Sequence, residues 1–179
     1  MLETNSKLLK AAVAISTLAT IVATSFPATA ATPQNLSATI DGKKFESDDD
    51  GITYLMPTKG VLNLIASTKG ASAYPPPKTP IDRLSVICRG FDGKPVKFIA
   101  KDFGNHGCEA RFLKNESKVP FGAPEAEYDT RYGKNSTFEI TSVNGKVIEG
   151  KFRFEMKEKN SRAALVVIDG TFKAEDRQK

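Results

Sequence analysis

The chain predicts a single all-β domain behind an export signal, and three features carry that reading. Short segments rich in Val, Ile, Phe and Thr alternate with Gly, Asp, Asn and Pro, and nothing resembles a long amphipathic helix. From Ile148 to Met156 the alternation is strict. Ile148, Gly150, Phe152, Phe154 and Met156 share one side, and Glu149, Lys151, Arg153 and Glu155 the other, the pattern of a strand with one buried and one wet face. The first thirty residues, by contrast, have the composition of a targeting segment.

In that segment Lys7 and Lys10 precede an apolar run from Ala11 to about Ala23, which ends in Phe26-Pro27-Ala28-Thr29-Ala30. A cationic start, a short hydrophobic stretch and a small-x-small end describe a secretory signal peptide, with cleavage between Ala30 and Ala31. The run is too short for a membrane span, which takes roughly 20 apolar residues, and no later segment reaches that length. Nor does a Cys near the cut offer a thiol for a lipid anchor. Residues 31–179 are therefore expected as one all-β domain in the periplasm or outside the cell.

Within it, Ala38-Thr39-Ile40 and Lys43-Lys44-Phe45 flank Asp41-Gly42, a favoured hairpin turn. Further strands are expected at Ile52 to Met56, Val61 to Ala66, Ile81 to Cys88, Val96 to Ala100 and Cys108 to Leu113. Ala71 to Pro80, holding Tyr74-Pro75-Pro76-Pro77-Lys78, reads as a stiff polyproline-like crossover between sheets. Lys114 to Ser136 is a long mixed segment, with one more short strand expected near Tyr128 and Tyr132. Phe138 and Ile140 face inward, and Val143-Asn144-Gly145 suits a three-residue turn that sets Ile140 against Ile148.

After the polar turn Lys157 to Arg162, the next buried face is Ala164, Val166, Ile168, Gly170 and Phe172. Pairing Phe154 with Val166 and Phe152 with Ile168 sets Gly150 opposite Gly170. Two facing glycines leave a notch for a neighbouring ring, Phe152 or Phe172, to cross. The last three strands thus form an antiparallel meander. The spacing gives about eight to ten strands, in a single antiparallel β-sandwich or a flattened calycin-like barrel.

Two cysteines in an exported chain are expected to pair, so Cys88 and Cys108 should form one disulfide. A simple meander would put these two at opposite ends of the sheet, and a bridge needs Cα atoms within about 7 Å. Strands 81–88 and 108–113 should therefore pair directly, with residues 89–107 leaving the sheet as an excursion. The rival reading is a reactive Cys108 close to His106.

Composition excludes several functions. One His and two Cys among 179 residues cannot build a His/Cys metal cluster, and no cofactor is expected. His106, with Asp102 as its companion, lacks the accompanying nucleophile motif of a hydrolase and reads as a solvated loop residue. Asp48-Asp49-Asp50-Gly51 fails the calcium-loop pattern, since Lys59 stands where the closing Glu belongs. Glu125, Glu127 and Asp129 alternate like the wet face of a strand; as a carboxylate pair they would suit a hydrolase only across a cleft. A net charge of +5 without a basic cluster argues against nucleic acid. Asn35, Asn115 and Asn135 begin glycosylation sequons in form.

The opening Ala38-Thr39-Ile40-Asp41-Gly42-Lys43-Lys44-Phe45 and the ending Gly150-Lys151-Phe152-Arg153-Phe154 with Ile168-Asp169-Gly170-Thr171-Phe172 resemble a group of exported bacterial β proteins, many of them lipoproteins. The resemblance implies the fold and no catalytic residue. The chain departs from that group by lacking the lipid-anchoring Cys.

The expected function is an exported, non-enzymatic binding protein, monomeric, whose partner is a protein, an anionic glycan or a small ligand. Its binding surface is either a mouth between the sheets or the 89–107 excursion. The alternative is an inhibitor or accessory protein acting on a hydrolase or secretion component through that disulfide-held loop. A carboxylate-based hydrolase is the third reading. A small-ligand binder should have an apolar pocket lined by residues such as Phe98, Phe138 and Phe152.

Overall fold

The computed structural model describes residues 33–75, 78–104, 107–116, 123–130, 135–159, 161 and 166–177. The expected signal peptide and its expected cleavage point at Ala30 and Ala31, together with His106, Tyr132 and Ala164, lie outside the described residues. Residues 31–179 form one compact unit. Among the described residues eleven strands run antiparallel: β1 Asn35–Ile40, β2 Lys43–Ser47, β3 Ile52–Thr58, β4 Val61–Ser67, β5 Ile81–Arg89, β6 Val96–Phe98, β7 Cys108–Glu116, β8 Ala126–Asp129, β9 Thr137–Asn144, β10 Val147–Glu158 and β11 Val166–Glu175. That is one more than the upper end of the expected range. Three-residue β6 and four-residue β8 are too short to show a period of their own.

The strands make a single sheet, nearly closed into a barrel, in the order β2-β1-β11-β10-β8-β7-β5-β4-β3. β10 serves two neighbours on one edge: residues 147–153 pair with β9, and Lys157 and Glu158 pair with β8. β9 in turn carries β6. The C-terminal meander β9-β10-β11 is as expected. The seam between β11 and β3 is closed by a bridge from Tyr54 to Asp176 and by side chains. Buried Gln34 donates its N–H to Asp49 Oδ1 at 2.7 Å and accepts the Glu175 N–H at 2.7 Å. Arg177 binds both Asp49 oxygens, at 2.8 and 2.7 Å. The Arg177 guanidinium, with the Gln34 N–H, holds the Asp49 carboxyl below its usual range.

Turn chemistry explains the opening hairpin. Asp41 and Gly42 both take positive φ, 48° and 76°, as a two-residue turn matched to strand twist requires. The β9–β10 turn is tighter than expected, with Gly145-Lys146 joining the paired Asn144 and Val147. A bulge at Thr141 then re-sets the register, so Ile140 opposes Gly150 rather than Ile148. The Ala71 to Pro80 segment does not cross between sheets: it joins β4 to β5, which pair directly. Tyr74–Pro75 is a cis peptide in a bend, and Pro76 and Pro77 lie outside the described residues.

The β10–β11 register also differs from expectation, by two residues. Phe154 opposes Ile168, Phe152 opposes Gly170, and Gly150 opposes Phe172. The glycines therefore do not face each other; each faces a phenylalanine. A methyl group added at Gly170 would lie 2.5 Å from Phe152 Cζ and 2.6 Å from the Ser37 carbonyl oxygen. At Gly150 it would lie 2.6 Å from Phe172 Cζ and run into the Glu139 carbonyl. Each ring occupies the space where a Cβ would be, the device by which aromatic rings shield strand glycines.

This exchange organises the core. Phe138 stacks on Phe172 with centroids 5.1 Å apart, Phe152 on Phe154 at 4.9 Å, and Phe98 on Phe138 at 6.5 Å. Cys88 and Cys108 are directly opposite in β5 and β7 and are joined, with Cα atoms 4.0 Å apart. The disulfide and the direct β5–β7 pairing are thus as expected, whereas residues 89–107 do not leave the sheet, because β6 within them pairs with β9. Closing that loop contributes about 3 kcal/mol in the chain-entropy account.

Overpacking a filled site costs about 1–3 kcal/mol. Gly170→Ala and Gly150→Ala are therefore each expected to lower stability by about 2 kcal/mol or more, read as a fall in the urea midpoint at unchanged slope.

Candidate functional site

The expected pocket at Phe98, Phe138 and Phe152 does not exist. All three are buried and stacked into the core, because the glycines opposite Phe152 and Phe172 let the rings fill the centre. A half-open, largely apolar hollow lies instead where β1, β2 and β11 face β5, β7 and β8. It measures about 160 Å³ and is lined by Ile40, Phe45, Phe112, Tyr128 and Val166, with Asp41, Lys43, Lys44, Asp82 and Lys114 around the rim. A larger depression of about 490 Å³ lies on the outer face over Thr39, Arg153 and Asp169. It is open to water and floored by an ion pair, so it makes a poorer site.

Local structure places each group of the hollow. Strand alternation turns Phe45 of β2 and Phe112 of β7 inward, where they meet edge to face at 6.1 Å. Tyr128 of β8 pairs with Phe112 across the strands, and its ring lies 6.1 Å from that of Phe112. Burial first, and then the nearby Glu158 carboxylate, push the Tyr128 phenol above its usual range. It therefore remains neutral and keeps both a donor and acceptors.

At the rim the β5–β7 register slips between Ile81 and Arg83. Asn115, with φ 51°, donates its N–H to Asp82 Oδ1 at 2.7 Å. Lys114 Nζ donates to Glu125 Oε1 at 2.6 Å, and Asn115 Nδ2 to Glu125 Oε2 at 3.0 Å. These two hydrogen bonds, the Lys114 charge and the more distant Lys43 hold the Glu125 carboxyl below its usual range; the Lys114 ammonium is raised in return. The arrangement is an apolar slot with one neutral hydroxyl in its wall and charges of both signs at its entrance. It can hold a small apolar body and hydrogen-bond or ion-pair a polar end.

The other singled-out residues are placed as follows. Cys108 Sγ is bonded to Cys88, so it is no free nucleophile. Asp102 Oδ2 accepts the Ile99 N–H at 2.8 Å in a local turn. Asp48 accepts the Gly51 and Gly70 N–H groups, at 3.1 and 3.0 Å, and Asp49 belongs to the seam. Among the described residues no group of three or more His, Cys, Asp or Glu is placed to share a metal ion. Glu127 lies between Arg111, at 3.1 Å, and Lys159, at 3.5 Å. Glu127 and Asp129 share one side of β8, and Glu125 sits just before that strand, so the three do not form opposing walls of a cleft; nor are they the expected wet face, since Asp129 is buried and Glu127 half-buried against the neighbouring strands. Asn135 Nδ2 donates to Glu155 Oε1 at 2.8 Å.

The described part of residues 89–107 lies down on the sheet. Phe91 and Phe98 are buried, β6 pairs with β9, and Phe103 packs edge-on against Phe154. Sequence reading did not assemble the hollow, since its lining comes from five strands. Phe45 and Tyr128 were visible only as members of separate strands. Comparison with protein families, with characterised proteins and with solved structures returns no match for this chain.

The Glu125 pairing has a pH signature. A carboxyl with a depressed folded value contributes stability above its ordinary value, 4.5, and loses it as the pH falls through the lower one. The carboxyl carbon of Glu125 is expected to titrate below 4.5 by NMR, and Lys114→Met to move that midpoint upward.

Proposed function

We propose that this is an exported, non-enzymatic binding protein whose small ligand enters the hollow between Phe45, Phe112 and Tyr128. The observation that carries the reading is the hollow itself, apolar within, charged at the entrance, and about 160 Å³ in volume. An apolar cavity of about 150 Å³ takes a benzene ring, so the buried end of the ligand is one six-membered ring or a branched aliphatic group of that size. The polar end meets the Tyr128 hydroxyl or the Lys43 ammonium. Export is supported by the pattern from Lys7 to Ala30 and by the closed disulfide, since disulfides persist in oxidising compartments. The mouth is favoured over the 89–107 excursion because the described part of that loop is built into the sheet. An inhibitor would instead present it as a projecting rod.

Sequencing of protein recovered from outside the cytoplasm is expected to begin at Ala31. A start at Met1 overturns export. Titration with phenol, benzoate and cyclohexanol is expected to shift the NMR signals of Tyr128, Phe112 and Val166, with Kd values of about 0.1–5 mM for ligands this small. Val166→Phe, which fills the hollow from a half-buried position, should weaken that binding at least tenfold with the circular dichroism unchanged. Shifts absent at all three residues, or binding equal in the variant, would remove the reading.

A further inference from the structure

Inward positions of an alternating strand normally carry apolar residues, yet at one end of this barrel acids hold them. Glu158 of β10 stands directly opposite Tyr128 of β8, and Tyr128 directly opposite buried Phe112 of β7, so all three share one face. Along its own strand Glu158 continues the side of buried Phe154 and Met156. Asp82 likewise shares the side of buried Leu84 and Val86 in β5, and it lines the rim of the hollow. Glu158 and Asp82 are both half-buried. Asp41, in the β1–β2 turn, adds an exposed carboxylate to the same rim. Three distant parts of the chain thus bring acids to one mouth.

The charges at that mouth do not balance. Lys44 is already held by Glu46, and Lys114 by Glu125, each at 2.6 Å. Among the described residues no lysine or arginine forms an ion pair with Asp41, Asp82 or Glu158. Asp82 uses Oδ1 to accept the Asn115 N–H. Against these acids stands Lys43, whose charge also bears on Glu125. The Tyr128 phenol registers the excess. Burial raises it most; among the charges Glu158 leads, Glu125 and Asp41 add to it, and Lys114 opposes them.

We propose that the ligand of the hollow is a primary amine. Its ring or branched carbon body lies against Phe45 and Phe112, while its ammonium group, at the mouth, donates to the Tyr128 hydroxyl and meets the Glu158 and Asp41 carboxylates. This inference rests on the ligand-binding reading, and it chooses Tyr128 rather than Lys43 as the group that receives the polar end. An ammonium carries three donors and no acceptor. One neutral hydroxyl oxygen and two carboxylates give those donors their complement, and hydrogen bonds to a charged group are the stronger kind. A carboxylate in that place would meet Lys43 but also the acids around Tyr128, and juxtaposed like charges lower affinity. An alcohol would gain the hydroxyl contact alone.

Benzylamine, benzyl alcohol and benzoate share one ring and differ in charge, so they test the choice. In NMR titrations of the full mature chain at neutral pH and low salt, benzylamine is expected to bind about fivefold or more tightly than benzyl alcohol. Benzoate should bind most weakly, and added salt should narrow the spread by screening. Asp41→Asn with Glu158→Gln should bring benzylamine to within about twofold of benzyl alcohol, since the ion pairs then go. Asn tolerates the positive φ of position 41, and unchanged benzyl alcohol binding shows that the hollow is intact. Benzoate binding as tightly as benzylamine would overturn the proposal, as would a preference for benzylamine that survives both substitutions. Benzyl alcohol and benzylamine binding equally well to the unaltered chain would sink the amine and leave the hollow as a ligand site. Signals of Tyr128 and Phe112 that move with none of the three would remove both.

Discussion

Two phenylalanine rings laid over two glycines hold the C-terminal half of this barrel in place. Phe172 occupies the space above Gly150, and Phe152 the space above Gly170. Neither ring could lie there if its partner strand carried a Cβ at that position. The contact fixes how β10 and β11 pair, and it brings Phe138, Phe152, Phe154 and Phe172 into one stack. It also explains why the centre of the barrel is solid. Rings that enter glycine notches leave no room for a ligand among them, and the remaining hollow is displaced to where Phe45, Phe112 and Tyr128 meet.

The rest of the architecture manages strand edges. Unpaired edges invite association through their backbone groups, and here most are covered. The 89–107 excursion, pinned at both ends by Cys88 and Cys108, returns as β6 to pair with β9. Gln34, Asp49 and Arg177 close the seam where β11 meets β3, using a buried amide and a two-point ion pair in place of a full backbone ladder. The Gln34 side-chain oxygen accepts the Glu175 N–H while its backbone N–H donates to the Asp49 carboxylate, so this residue ties three segments together. The amide of Asn63 is the contrast, since its oxygen is covered and has no hydrogen-bond partner among the described residues.

Much of this was legible in the residues. The alternation from Ile148 to Met156 names the buried face of β10, since the side of a strand to which a side chain points depends only on its position along the chain. The pairing of Cys88 with Cys108 followed from the count of cysteines, and the direct contact of their strands followed from the reach of a disulfide. Asp41-Gly42 announced its turn because both residues accept positive φ. Short β8 was harder to see: Glu125, Glu127 and Asp129 read as its wet side, whereas in the fold Glu127 is half-buried and Asp129 fully buried, so alternation alone misplaces this strand.

What sequence alone settled is therefore the all-β class, the faces of the long strands, the first turn and the cross-link. Each follows from local stereochemistry or from a covalent limit. Tertiary structure alone decided the register of β10 against β11 and the position of the hollow. A slide of two residues returns every side chain to the same face, so periodicity cannot tell one pairing from the other. The choice falls to steric fit between rings and missing Cβ atoms on different strands. The hollow likewise is the space left among side chains from five strands, and no one of those strands contains it.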